Sequence, residues 1–255
     1  MREALAYKKK ISKKMLDFDY RPRSRKQDRF SKKDPPQKFL FQVLFDQNMD
    51  WKQAWGNVEL FQERIGTLDV KKIARMPLGD IHRAMKGDKR KSDPDDWKAL
   101  HRFPKKLSGW VKNTCKMLVE EYGGDPRHIW NNTKSARMIE ERLKEFPGIG
   151  QKKASMLINI LANDRGFRNI DRSEIDISVD SLVRRVFLRT GLADHDSIDD
   201  IIEVSRKLNP DFPGILDLSA WRIGQDYCFP KRPDCKHCPL GTICRKKKWR
   251  TIEAA

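Results

Sequence analysis

Four cysteines near the C-terminal end of this chain, Cys228, Cys235, Cys238 and Cys244, limit what it can fold into more than any other feature. Their spacing, C-x6-C-x2-C-x5-C, puts one short pair between two single cysteines. Structural zinc sites more often show two short ligand pairs separated by a longer span. Four thiolates in so short a segment suit a [4Fe-4S] cluster, around which short loops can close because the cluster itself acts as a small core. Zinc is the alternative that the spacing alone leaves open. Thiolates kept for a metal imply a reducing compartment.

The chain has 255 residues, enough for one large or two small domains with a sizeable core, and a formal charge of +18. That charge sits at the ends. Residues 1–33 carry 13 Lys and Arg against 4 acids, and residues 228–250 carry 8 against 1, so the remainder is close to neutral. Such basic ends point to a polyanionic partner; solvated tails are the plainer reading of residues 1–33. No apolar run is long enough to span a bilayer, and MREALAYKKK has no apolar stretch of a signal peptide after its charges. The expected location is cytoplasmic, nucleoid-associated in a prokaryote, or nuclear in a eukaryote. The fifth cysteine, Cys115, lies on the stripe Val111, Cys115, Leu118 and Val119, one buried helix face, and is expected to be core.

Between the ends the apolar period is helical. Phe39, Leu40, Val43 and Leu44 follow it, as do Ile139, Leu143 and Phe146, while strand-like alternation is scarce. The segment KGDKRKSDPDDW, residues 86–97, has no periodicity and reads as a loop. A second motif is FPGIGQKKA, residues 146–154: a helical stretch precedes it, and Ala154, Leu157, Ile158 and Leu161 continue helically after it. Pro147, Gly148, Ile149 and Gly150 therefore form a tight turn between two helices. Exposed amides at the head of the second helix can hold a phosphate without reading base sequence. A turn with no ligand is the plainer alternative.

The hairpin, the Val179-Asp180 step before a helix and the four cysteines, in that order, resemble the endonuclease III family of helix-hairpin-helix DNA glycosylases with an iron-sulfur cluster. VLFDQ, residues 43–47, resembles the helix end that leads to the family's gap-filling glutamine. The resemblance runs from about residue 36 to residue 245. It implies an all-α, two-lobed fold: a helical-barrel domain over 34–170 carrying the hairpin, and an iron-sulfur cluster domain over 171–255 completed by residues 1–33. It implies Lys152 as the catalytic nucleophile and Asp180 as the catalytic carboxylate. DNA-binding roles fall to Gln47 as the wedge, Phe103 as a second wedge, the turn residues Pro147, Gly148, Ile149 and Gly150, and Lys153 as a phosphate contact. Cys228, Cys235, Cys238 and Cys244 become cluster ligands.

The implied activity is base excision. A monomer binds double-stranded DNA with a damaged or mismatched base, flips that base out, cleaves the N-glycosidic bond and nicks the strand by β-elimination through a lysine Schiff base. Read without the family, Lys152 is equally a phosphate contact and Asp180 a helix cap. A non-catalytic DNA-binding module of the same fold and a monofunctional mismatch or uracil glycosylase are the alternatives. Three departures bear on the resemblance, one of them an 86–97 loop longer than expected. The connection from Lys152 to Asp180 is longer than the family's, and Leu182 stands where strand-nicking members usually carry histidine.

Overall fold

The computed structural model describes residues 2–18, 34–47, 49, 51–88, 97–163, 167 and 169–245. Most of the 86–97 loop, part of the 162–178 connection, residues 19–33 and the basic run after Arg245 lie outside the described residues. Eleven α-helices and three short 3-10 turns make up the described regular structure. The helices are α1 (Arg2–Leu16), α2 (Pro36–Phe45), α3 (Trp51–Ile65), α4 (Val70–Arg75), α5 (Leu78–Lys86) and α6 (Pro104–Tyr122), then α7 (Ala136–Glu145), α8 (Gln151–Asn163), α9 (Ser181–Thr190), α10 (Ile198–Leu208) and α11 (Asp217–Asp226). The expected all-α class holds, with no strand among the described residues. No described helix is long and apolar enough to cross a membrane.

The chain divides into two compact units. One comprises residues 30–134 and 138–153, the other residues 1–29, 135–137 and 154–255. In the first, α4 and α5 pack on α6, and α2 packs on α3. Val111, Cys115 and Leu118 recur every three or four residues along α6 and are fully buried. Cys115 is core, as expected, and burial pushes its thiol up to about 12. Positive-φ Gly123 ends α6, a backbone conformation that glycine adopts without a Cβ penalty. Pro104 starts the helix, where its missing N–H costs nothing.

The second unit contains a helix that the charge pattern hid. Tyr7, Ile11 and Met15 recur every four residues through the lysine-rich α1, giving it one apolar face. Ile11 and Met15 are fully buried with Val183, Val186 and Phe187 of α9, Ile201 of α10 and Ile223 of α11. Tyr7 donates its hydroxyl proton to the Thr190 carbonyl at 2.6 Å, and the Lys8 ammonium meets Asp194 at 2.8 Å. Over residues 2–16, then, the basic N-terminal segment is an amphipathic helix that packs on its own unit and keeps its other lysines outside.

Candidate active site

The FPGIG turn joins α7 to α8 within a few residues, and its geometry explains its sequence. Gly148 sits at φ +82°, and a Cβ built there would lie 2.5 Å from the Trp110 ring. Only glycine meets both conditions. Ile149 is buried and donates its N–H to the Phe146 carbonyl at 3.1 Å, closing the turn. Gly150 is exposed, its φ is ordinary, and a Cβ there would meet nothing within 4 Å. Its glycine identity is therefore not needed for packing. It leaves the backbone bare beside the first turn of α8, where amide protons point outward and the helix dipole is positive.

Two lysines open α8 and have opposite environments. The Lys152 side chain is 39% exposed, with Nζ 3.3 Å from Oδ2 of Asp46, whose own side chain is only 11% exposed. Lys153 is 6% exposed and donates from Nζ to the Leu44 carbonyl at 2.9 Å. Burial pushes the Lys153 amine down to about 8; the Asp46 carboxylate opposes that shift and the Lys152 charge adds to it. The reading of Lys153 as a surface phosphate contact thus meets a correction, because its amine is turned inward and spent on a backbone carbonyl. The signal was present in the sequence: Ile149, Lys153 and Leu157 lie four apart on the buried face of the hairpin and helix.

Gln47 follows Asp46 at the end of α2. Its N–H donates to the Phe45 carbonyl at 2.7 Å, and its Oε1 is buried with no hydrogen-bond partner. Phe103 stands 42% exposed at the head of α6, with its N–H donating to His101 Nδ1 at 3.0 Å and the Arg102 guanidinium 5.4 Å from its ring. Sequence reasoning missed Asp46, since nothing local connects residue 46 with residue 152.

In the other unit, Asp180 caps α9. Its Oδ1 accepts from the backbone N–H groups of both Leu182 and Val183 at 2.8 Å, which is the capping role that its sequence context suggested. Leu182, the residue that stands in place of histidine, lies against α11: a Cβ built on Gly224 would come within 2.8 Å of its own Cβ.

The four C-terminal cysteines are all reduced and half-buried in a loop wound over the end of α11. The loop is closed by N–H donation from Cys228 to Ile223, Gly241 to Cys238 and Cys244 to Leu240, each at 2.8 Å. A Cβ on Gly241 would lie 2.0 Å from the Cys235 carbonyl oxygen, so the loop closes only around glycine. Arg189 of α9 brings Nη1 to 3.5 Å from Cys228 Sγ and bonds the Phe229 and Pro230 carbonyls, while Arg185 bonds those of Cys228 and Gly224. Cys238 is pushed up to about 11, first by burial and then by the charges of Cys228, Cys244 and Cys235. The thiols therefore lie within one another's electrostatic reach. Among the described residues, however, no three Cys, His, Asp or Glu side chains already form a metal-holding group. A donor set of four thiols with two guanidinium groups beside it suits an anionic iron-sulfur centre. His237 stays outside it, with Nδ1 2.7 Å from Asp234.

No family profile matches the chain. Endonuclease III of Bacillus subtilis (strain 168) is 26% identical over 141 residues, covering 53% of this chain and 54% of that protein. Adenine DNA glycosylase of Mus musculus is 25% identical over 141 residues, covering 53% of this chain and 24% of that protein. The chain thus spans about half the length of the first of these relatives and about a quarter of the second. Among solved structures, an endonuclease III bound non-covalently to DNA superposes with a TM-score of 0.65 at 18% identity, covering 96% of both chains. A thermostable thymine-DNA glycosylase gives the same TM-score at 16% identity, covering 96% of this chain and all of that one. The chain is thus similar in sequence to endonuclease III and to adenine DNA glycosylase, and its all-helical fold is that of the endonuclease III structures.

Proposed function

We propose that this protein is a base excision repair glycosylase with lyase activity, acting on duplex DNA that carries a damaged or mismatched base. The observation that carries this reading is the contrast at the head of α8: the lysine two residues after the second hairpin glycine keeps a solvent-reachable amine beside a carboxylate, while its neighbour is buried. A lysine serving only to pack or to neutralise phosphate needs no carboxylate 3.3 Å away. An amine that must be held in place and then released as a nucleophile makes use of one.

Extruding a base leaves a gap in the stack and a kinked backbone, both of which the enzyme must hold. The exposed Gly150 amide region grips phosphate, and Gln47 enters the gap, giving its buried amide oxygen a partner. Phe103, exposed at the head of α6, is the second wedge. The neutral Lys152 amine then attacks the sugar C1′, and the base leaves with the bonding electrons of the glycosidic bond. Positive charge develops on the sugar during that step, and a carboxylate stabilises it; by resemblance Asp180 supplies this charge. The adduct nitrogen sheds its extra proton and the sugar ring opens: the nitrogen lone pair forms the C=N bond while O4′ leaves C1′ with the C–O bonding pair and takes up a proton, which gives the imine. Removal of a C2′ proton then expels the 3′ phosphate and nicks the strand.

Cys228, Cys235, Cys238 and Cys244 would hold a [4Fe-4S] cluster, which when bound fastens the C-terminal loop to its unit. We assign residues 154–255 with α1 to this cluster domain and residues 30–134 with the hairpin to the domain that handles the lesion. Borohydride reduction during reaction with a damaged duplex tests the reading, because only an imine is converted to a stable protein-DNA adduct. The adduct is expected with wild-type protein. Base release without any adduct would favour a monofunctional glycosylase, and neither product would favour a binding module.

A further inference from the structure

Within the first unit, the segment that follows α2 and the segment that precedes α6 share one buried imidazole. His101 is 3% exposed. Its Nδ1 accepts the Phe103 backbone N–H at 3.0 Å, and its ring centroid lies 6.0 Å from that of Phe103. An accepting Nδ1 places the proton of a neutral ring on Nε2. Nε2 is buried without a well-formed hydrogen bond, and the Gln47 backbone lies within hydrogen-bonding reach of the ring. Asn57 of α3 fastens the same two segments a second time, since its Nδ2 donates to the Leu100 carbonyl and lies 4.0 Å from Met49 Sδ. We propose that His101 is a positioning residue that ties the Gln47 and Phe103 segments together, so that both side chains enter a vacated base stack as one pair. The proposal rests on the assignment of Gln47 and Phe103 as wedges above.

A wedge acts only if its backbone stays put while its side chain pushes between bases. Unstacking a base step resists the push, and a loose segment would also lose conformational entropy when DNA orders it. Fixing both segments beforehand removes that cost from binding. The side chains match this division of labour. Phe103 is 42% exposed, whereas the ring that holds its backbone is buried. The Gln47 N–H is bonded to the Phe45 carbonyl at 2.7 Å, while its amide oxygen is buried with no hydrogen-bond partner. Moving that side chain outward therefore breaks no bond made by the oxygen, and the backbone stays anchored. Burial holds the imidazole below its usual value, and the Lys153 charge acts in the same direction, so the ring keeps its acceptor at Nδ1. A ring needed only to start α6 would serve Phe103 alone, as an Asx turn does. The reach to Gln47 gives His101 a second segment to hold.

The test is the ratio of affinities of the full-length protein for a duplex with a tetrahydrofuran abasic-site analogue and for the same duplex undamaged. Phosphate contacts common to both cancel, and filling the gap remains. Gln47→Ala and Phe103→Ala should each lower the ratio by about fivefold or more. His101→Leu should lower it about as much as the two wedge substitutions combined, and added to that double variant it should lower it no further. His101→Asn keeps an acceptor for the N–H two residues on but does not reach Gln47. Its ratio should match that of Gln47→Ala, fall further when Phe103→Ala is added and stay level when Gln47→Ala is added. Affinity for undamaged duplex should hold throughout, which a general loss of fold would not allow. A wild-type ratio in His101→Leu or in His101→Asn, while the wedge variants lose theirs, overturns the proposal. If His101→Leu loses both affinities alike, its fold has failed and the His101→Asn series decides by the same criteria. Wild-type ratios in both wedge variants overturn the wedge assignment itself, and the proposal with it.

Discussion

Adjacent residues of one type can be assigned opposite fates by the turn of a helix, as Lys152 and Lys153 show. Lys153 is buried and its amine is pushed down to about 8 from an ordinary value of 10.5. A lysine whose folded value lies below its unfolded one holds fewer protons when folded, across the window between the two values. Folding stability must therefore rise with pH from about 8 to about 10.5 and be insensitive to this group below that window. Chemical denaturation of wild type and Lys153→Met over this range checks the sign: the difference in unfolding free energy should move in favour of wild type as pH rises and stay flat between pH 6 and about 7.5. A flat difference throughout would mean that the amine is solvated. Lys152 and Asp180 were legible as candidate residues because their motifs are local. Asp46 was not, because a contact between residues 46 and 152 is created only when α2 and the hairpin fold against a common core.

Turns and caps carry the most readable physics at the scale of elements. The hairpin was legible from Pro and Gly between two helical periods, but its two glycines do different work. Gly148→Ala adds a Cβ at φ +82° and 2.5 Å from Trp110, and should lower stability by about 1–3 kcal/mol, read as a drop in thermal midpoint. Gly150→Ala meets open space and should melt close to wild type, yet weaken binding to an abasic-site duplex if the bare amides grip phosphate. Equal melting losses in the two variants would contradict this division. α1 was hidden for a physical reason: 15 residues rich in lysine raise the mean polarity, while the apolar residues Tyr7, Ile11 and Met15 face the core. Net charge reported the outer face of the helix. Period-four spacing, counted residue by residue, would have reported the inner one.

For the whole molecule, the all-helical class followed from apolar spacing, whereas the division into units did not, because α8 begins in one unit and continues in the other. No local sequence signal marks such a boundary inside a continuous helix. The cysteine cluster was the clearest sequence signal, and the loop that carries it is closed by backbone bonds and by two arginines of α9. Protein purified without oxygen is expected to contain about four iron atoms per chain and to lose them when Cys238 is replaced by Ser; stoichiometric zinc without iron would contradict the cluster assignment. Borohydride trapping on damaged duplex, followed by peptide mapping of the adduct, tests the role of Lys152 itself. The sugar should be found on Lys152, and Lys152→Ala should give no adduct while still binding an abasic-site analogue, because one contact among many contributes little to affinity. An adduct on any other residue, or undiminished trapping by Lys152→Ala, would contradict it.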